Sequence, residues 1–99
     1  MNSYMLKIQN LLTEMNGVSD LFPFKKKVAE TLKVANSKLS PIEFSKVLAA
    51  AEPALSKDCG CHEDLEQLES ILDDLSDSGI IENSTYKKIV ENTACNRWL

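Results

Sequence analysis

Apolar residues recur every three or four positions along much of the chain, which is the period of amphipathic α-helices. The first segment of this kind runs from about Ser3 to Asn16, and Gly17 follows where a left-handed residue commonly closes a helix. A second segment begins after Asp20, the expected N-cap, because its carboxylate can accept backbone hydrogen bonds. The apolar stripe of this second helix consists of Phe24, Val28, Leu32, Ala35 and Leu39.

The segment Ser40-Pro41-Ile42-Glu43 predicts the start of a third helix. Ser40 is a favourable cap, and Pro41 suits the first helical position, where a missing amide hydrogen costs no hydrogen bond. Pro53 would remove a hydrogen bond from the helix interior, so we expect the helix to end or kink near Ala51. The expected core positions of this helix are Ile42, Phe44, Val47 and Leu48.

Two further helices are predicted in the second half of the chain. The fourth begins at about His62 and ends at Gly79, and the fifth opens at Ser84. Leucines spaced three or four apart mark the buried face of the fourth helix: Leu65, Leu68, Leu72 and Leu75. No segment alternates convincingly as a strand does. The sequence therefore predicts one all-α domain over residues 1–99, a compact bundle of four or five short amphipathic helices.

Charge is distributed unevenly along this acidic chain, whose net charge is −4. Residues 1–50 hold seven basic and four acidic side chains, whereas residues 51–99 hold four basic and eleven acidic ones. The two halves could attract each other within the fold, pair between two copies of the chain, or face different partners. Nucleic-acid binding is disfavoured, because the basic cluster is small and no aromatic residues are interleaved with it.

Two charged features and one aromatic residue are the candidate sites of protein binding. Three consecutive lysines fall in the first turns of the second helix, where the helix dipole is unfavourable to cations. Acidic residues cover the outer face of the fourth helix. Trp98 either packs on the bundle or is available to a partner. The candidate residues are Lys25, Lys26, Lys27, Glu66, Glu69, Asp73 and Trp98.

The chain has three cysteines, and an odd number is typical of reduced thiols in the cytoplasm rather than of a disulfide-stapled secreted domain. No apolar run is long enough to span a bilayer, and the first residues lack the pattern of a signal peptide. We therefore expect a cytoplasmic protein without membrane association. An alternative interpretation is a soft-metal or redox site. Its candidate ligands are Cys59, Cys61, His62 and Cys95.

The segment Asp74–Ile81 resembles the first eight positions of an EF-hand calcium loop. The twelfth position holds Thr85 instead of the glutamate that binds calcium through both oxygens, so the match is incomplete. A helix that ends at Gly79 and a new helix capped by Ser84 explain the same residues without an ion.

Motifs for catalysis are lacking, since His62 is the single histidine and no nucleophile elbow or glycine-rich phosphate loop is present. We expect a non-enzymatic helical module without a cofactor that binds another protein, as an inhibitor, adaptor, immunity-type or regulatory protein. Two alternatives stay open. One is a thiol-based metal or redox carrier that uses the Cys59-Gly60-Cys61-His62 segment, and the other is a homodimer whose basic and acidic faces pair.

Overall fold

A computed structural model describes residues 3–18, 21–57 and 65–98, and the side chains of the last range from 68 to 92. These ranges contain five helices: α1 (Ser3–Glu14), α2 (Phe22–Lys38), α3 (Pro41–Ser56), α4 (Leu65–Asp77) and α5 (Asn83–Trp98). They contain no strand, so the prediction of an all-α bundle of four or five short helices is confirmed.

The helices are stacked in three layers, with α2 and α3 packed side by side in the middle. On one side α1 packs against both of these helices. On the other side α4 packs on α2, α5 packs on α3, and α4 and α5 contact each other. The bundle measures 38 × 27 × 17 Å along its principal axes. Because α1 covers one side of the middle layer, α2 and α4 form an edge of the bundle on which both helices are open to solvent.

Helix directions follow from the connections and from the grooves between helices. Only Leu39 and Ser40 separate α2 from α3, and the two helices pack against each other with Asn36 beside Ser45, so the chain reverses its direction between them. One groove is lined by Ser45 and Thr85, and another, further along both helices, by Ser56 and Asn92, so α3 and α5 run parallel. A short turn joins α4 to α5, which makes that pair antiparallel as well. It follows that α2 and α4 run in the same direction.

The core consists of apolar side chains from all five helices. The large apolar side chains that are at most 1% exposed are Ile8, Met15, Val28, Leu32, Val47, Leu55, Leu68, Leu72, Leu75 and Ile89. The predicted leucine stripe of α4 is thereby confirmed at its three described positions, and the Leu65 side chain lies outside the described residues. Small residues keep α3 close to its neighbours, because Ala51 and Ala54 are fully buried.

Three predicted helix ends are confirmed by backbone geometry. The amide of Glu43 donates to Ser40 Oγ at 3.4 Å, which caps α3 as expected. Gly17 and Gly79 follow α1 and α4 with φ angles of +78° and +74°. The amide of Ile80 donates to the Leu75 carbonyl at 2.9 Å, which is the long hydrogen bond of a Schellman motif.

The EF-hand alternative is wrong, because residues 74–77 form the last turn of α4 and not a loop. A calcium loop requires its first ligands to curl around the ion in a non-helical conformation. The predicted start of α2 is also displaced: Leu21 is the N-cap, and its carbonyl accepts from the Lys25 amide at 2.9 Å. Asp20, the expected cap, lies outside the described residues.

The structure corrects one core residue of α3 and the position at which this helix ends. Ile42 is 73% exposed and does not belong to the core. It precedes buried Phe44 by two positions, and two positions on a helix are about 200° apart, so the two side chains point in opposite directions. Of the two outcomes expected at Pro53, an end of the helix near Ala51 does not occur: α3 continues through Pro53 to Ser56, and its last turns bury Ala54 and Leu55.

None of the described helices is both long and apolar enough to cross a membrane.

Candidate protein-binding surface

The three predicted binding lysines of α2 have different surroundings. Lys25 is only 1% exposed, so the expectation that it belongs to an exposed basic cluster is wrong. Its position explains this, since it lies three residues before Val28 and seven before Leu32, on the buried face of the helix. Lys26 and Lys27 are exposed, but they line two different grooves.

Lys26 lies on a groove of about 310 Å³ between α2 and α4. The groove has an apolar floor that includes Phe22, Ala29 and Ile71. Polar and charged side chains form its rims. They are Lys26, Glu30 and Lys33 on α2, and Ser70 and Asp74 on α4. An apolar floor with a polar rim is the ordinary composition of a protein–protein contact region.

An ion pair joins the two rims of this groove. The Lys33 ammonium donates a hydrogen bond to Asp74 Oδ2, linking the basic half of the sequence to its acidic half. The two side chains are 41% and 54% exposed. Exposed pairs contribute only about 0–1 kcal/mol to folding, because water screens both charges. Both charges are therefore accessible and can interact with a partner at little cost to the fold.

Asp77 extends the acidic rim of α4, one helical turn beyond Asp74 and likewise exposed. We call the surface formed by the two rims, with Asp77 included, the α2–α4 face. Its α2 side carries two lysines and one glutamate, and its α4 side carries two aspartates. A weakly basic helix therefore lies beside an acidic one, across a shallow apolar groove.

The other edge of α4, towards α5, holds two of the predicted acidic residues. The Tyr86 hydroxyl donates a hydrogen bond to Asp73 Oδ1 at 2.7 Å, and Glu69 is half-buried nearby. Burial, the hydrogen bond to Asp73 and the negative charges of Asp73 and Glu69 raise the pKa of Tyr86 to about 12. The predicted acidic face is thus divided, since Asp73 binds a side chain of its own chain while Asp77 stays open to solvent.

A larger groove of about 790 Å³ separates α1 from α2. Lys27 lies on its rim, Tyr4 and Leu11 contribute apolar surface, and Val34 is 45% exposed beside it. Each rim carries a lysine and a glutamate, so no excess of either charge distinguishes one side of this groove from the other. The charges of the α1–α2 groove therefore distinguish between partners less strongly than the charges of the α2–α4 face do.

The remaining predicted site residues are only partly described. Glu66 and Trp98 belong to the backbones of α4 and α5, but their side chains lie outside the described residues, as does that of Cys95. Cys59, Cys61 and His62 lie outside the described residues altogether. Among the side chains that are described, no group of three or more His, Cys, Asp or Glu could hold a metal ion.

Sequence reasoning missed Lys33 and Asp74, the two residues that join the rims of the groove. They are 41 positions apart, and nothing in the sequence shows that α2 and α4 pack against each other. The excess of lysine in one half of the chain and of acid in the other was the signal available, but attraction within the fold was one of three interpretations it allowed, and it named no residues.

Comparisons with known proteins returned no match, whether the chain was compared with protein-family models, with curated proteins or with solved structures. Any function assigned to the chain therefore depends on its own surface. The α2–α4 face, with its paired charges and apolar groove, is the strongest candidate that the described residues offer.

Proposed function

We propose that the chain is a small, non-enzymatic helical module whose activity is to bind another protein molecule through the α2–α4 face. The observation that carries this proposal is the placement of basic and acidic rims on either side of one apolar groove. Apolar side chains of the floor would supply affinity, while the charged rims would set orientation and partner choice. An inhibitor, an adaptor, an immunity-type protein or a regulatory protein would each use such a surface.

The size of the chain supports a binding role over a catalytic one. With 99 residues in three thin layers, the bundle uses most of its apolar side chains to fill its own core. The Lys33 and Asp74 side chains of the α2–α4 face are open to water, whereas acid–base catalysis commonly uses groups that are shielded from it. The proposal includes no cofactor.

A cytoplasmic location is also part of the proposal, supported by the odd number of cysteines. We expect all three cysteines to react as free thiols when the protein is unfolded without reductant, measured with a chromogenic disulfide reagent. A stoichiometric disulfide would contradict the location. Stoichiometric zinc or copper in protein purified without chelator would favour the thiol-carrier alternative.

The binding proposal is tested by affinity capture from the cells that produce the protein, using the whole chain as bait. One variant carries Lys26→Glu and Glu30→Lys, which exchanges the charges on the α2 rim while keeping their sum. A second carries Asp74→Lys and Asp77→Lys. A matched control, Lys46→Glu, reverses one exposed charge on the outer surface of α3, away from the groove.

We expect both rim variants to lose a partner that the wild type and the control retain. High salt should weaken the same capture, because exposed charges are screened within about 3 Å at 1 M ionic strength. Circular dichroism of each variant checks that the bundle is intact. A partner set that is identical for the wild type and both rim variants contradicts binding through the α2–α4 face.

A further inference from the structure

The α2–α4 face has a pattern that limits which partner it fits. A complementary surface must place acidic side chains opposite α2 and basic side chains opposite α4, on two parallel ridges about one helix diameter apart, about 10 Å. The chain itself presents such a surface, because its acidic α4 and its basic α2 run in the same direction on one edge of the bundle. We infer that the partner of the α2–α4 face is a second copy of this chain, in a symmetric dimer.

The symmetry that produces this pairing is a two-fold axis parallel to the helices and directed along the groove. Rotation about this axis turns the face of one copy onto the face of the other and places α2 of each opposite α4 of its partner. The contact is isologous, so each favourable pairing of basic with acidic rim occurs twice. A two-fold axis across the helices would instead oppose α2 to α2, bringing like charges together.

The Lys33–Asp74 pair is the element on which this arrangement is centred. The two residues lie at the same height on parallel helices, so the rotation brings Lys33 opposite Asp74 of the partner subunit and Asp74 opposite the partner's Lys33. Four alternating charges then surround the axis. Each lysine keeps its own aspartate and gains a second one, which the partial exposure of both side chains permits.

The dimensions of the face predict a weak dimer. The 17 residues of α2 span about 25 Å, and two helices side by side are about 20 Å wide. The face therefore has an area of about 500 Å² in each copy, or about 1,000 Å² for the pair, which is at the lower limit for specific complexes. With charged rims around a small apolar floor, the dimer should depend on protein concentration and weaken steeply with salt.

The test is sedimentation equilibrium of the full chain at low ionic strength, for the wild type, Lys33→Glu, Asp74→Lys and the double variant. Each single reversal places like charges across the axis, and we expect it to raise the dissociation constant more than about tenfold. The double variant restores alternation at all four positions and should dimerise like the wild type. Lys46→Glu, on α3, should have no effect.

Mixing the two single variants gives the most specific result. A Lys33→Glu copy and an Asp74→Lys copy have complementary charges in both contacts, so an equimolar mixture should form dimers although each variant alone does not. This rescue requires that positions 33 and 74 of one copy face the same two positions of the other copy, and a dimer built on another surface would not show it. Wild-type chain that stays monomeric at about 1 mM overturns the inference, as does a dimer that both single reversals leave intact.

This inference rests on the proposed function, and the two fail differently. A monomeric chain whose captured partner is lost in the rim variants contradicts the second copy as occupant but keeps the binding face. A chain that neither dimerises nor loses any partner in the rim variants contradicts both.

Discussion

Replacing Leu68 with alanine should destabilise the bundle strongly, and a matched substitution at Leu6 should not. Leu68 lies on the inner side of α4 and is 1% exposed, whereas Leu6 lies on the outer side of α1 and is 52% exposed. Both are helical leucines, so the two substitutions remove the same atoms in the same secondary structure. Their difference in unfolding free energy therefore measures burial alone.

A buried leucine-to-alanine change costs about 2–5 kcal/mol, depending on how far the neighbours close the cavity. Because α4 belongs to an outer layer and, among the described residues, packs on the two helices α2 and α5, its surroundings can relax. We therefore expect a cost of about 2–3 kcal/mol for Leu68→Ala, which is a large part of the 5–15 kcal/mol typical of a domain. The exposed substitution Leu6→Ala should change stability by less than about 0.5 kcal/mol.

Equilibrium unfolding in urea, followed by circular dichroism at 222 nm, measures both values. The slope of free energy against denaturant should be the same for the wild type and both variants, which confirms that the same structure unfolds. A Leu68→Ala protein within about 0.5 kcal/mol of the wild type, or equal losses for the two variants, would refute the placement of α4 against α2.

Three further changes test local features of the fold. Gly79→Ala should lower the free energy of unfolding in urea by about 1 kcal/mol. The added methyl group has room, but the φ of +74° is unfavourable for any side chain. An unchanged stability would contradict the Schellman motif at the end of α4. Pro53→Ala should stabilise the protein by about 1 kcal/mol in the same assay, since it restores an amide that can donate to the Ala49 carbonyl, and a loss would show that the proline is required. The pKa of Tyr86 is about 12 in the folded protein and near 10 in the unfolded chain. The contribution of Tyr86 to stability is therefore complete below pH 10 and is lost as the pH rises through about 12. Ultraviolet titration should show this late ionisation, and Asp73→Asn should lower the pKa of Tyr86.

The helix ends and the leucine stripe of α4 could be predicted because they depend on local sequence. Ser40 can cap only the helix that follows it, and Gly79 adopts a positive φ that other residues avoid. The spacing of Leu68, Leu72 and Leu75 places them on one side of a helix whatever that helix packs against. In each case the chain within one or two turns determines the structure.

Lys25 and Ile42 show where residue type misleads. Lys25 has the spacing of a buried residue, three positions before Val28, but its charge assigned it to the surface. Its position on the core side of α2 outweighs the usual preference of a charged side chain for water. Ile42 is apolar but lies opposite Phe44 on α3, so its position on the helix outweighs its hydrophobicity. For both residues, the position on the helix relative to the buried face predicts burial better than the residue type does.

The candidate site could be predicted only as a tendency. Composition indicated a basic half and an acidic half, yet the pairing of Lys33 with Asp74 depends on how two helices distant in sequence pack together. The division of the acidic face, with Asp73 bound to Tyr86 and Asp77 open to solvent, likewise depends on the position of α5. These contacts arise from tertiary packing, which local patterns do not determine.

The central claim is that the α2–α4 face binds a second copy of the chain, and amide chemical shifts measured by nuclear magnetic resonance test it most directly. The ¹⁵N-labelled chain is diluted in steps at low ionic strength, and each shift is followed against concentration. We predict that the changes concentrate in residues 22–33 and 70–77, while the outer surface of α3, around Lys46, stays constant. Shifts that change mainly on α1 and α3, or that do not depend on concentration at all, would contradict a self-complementary α2–α4 face.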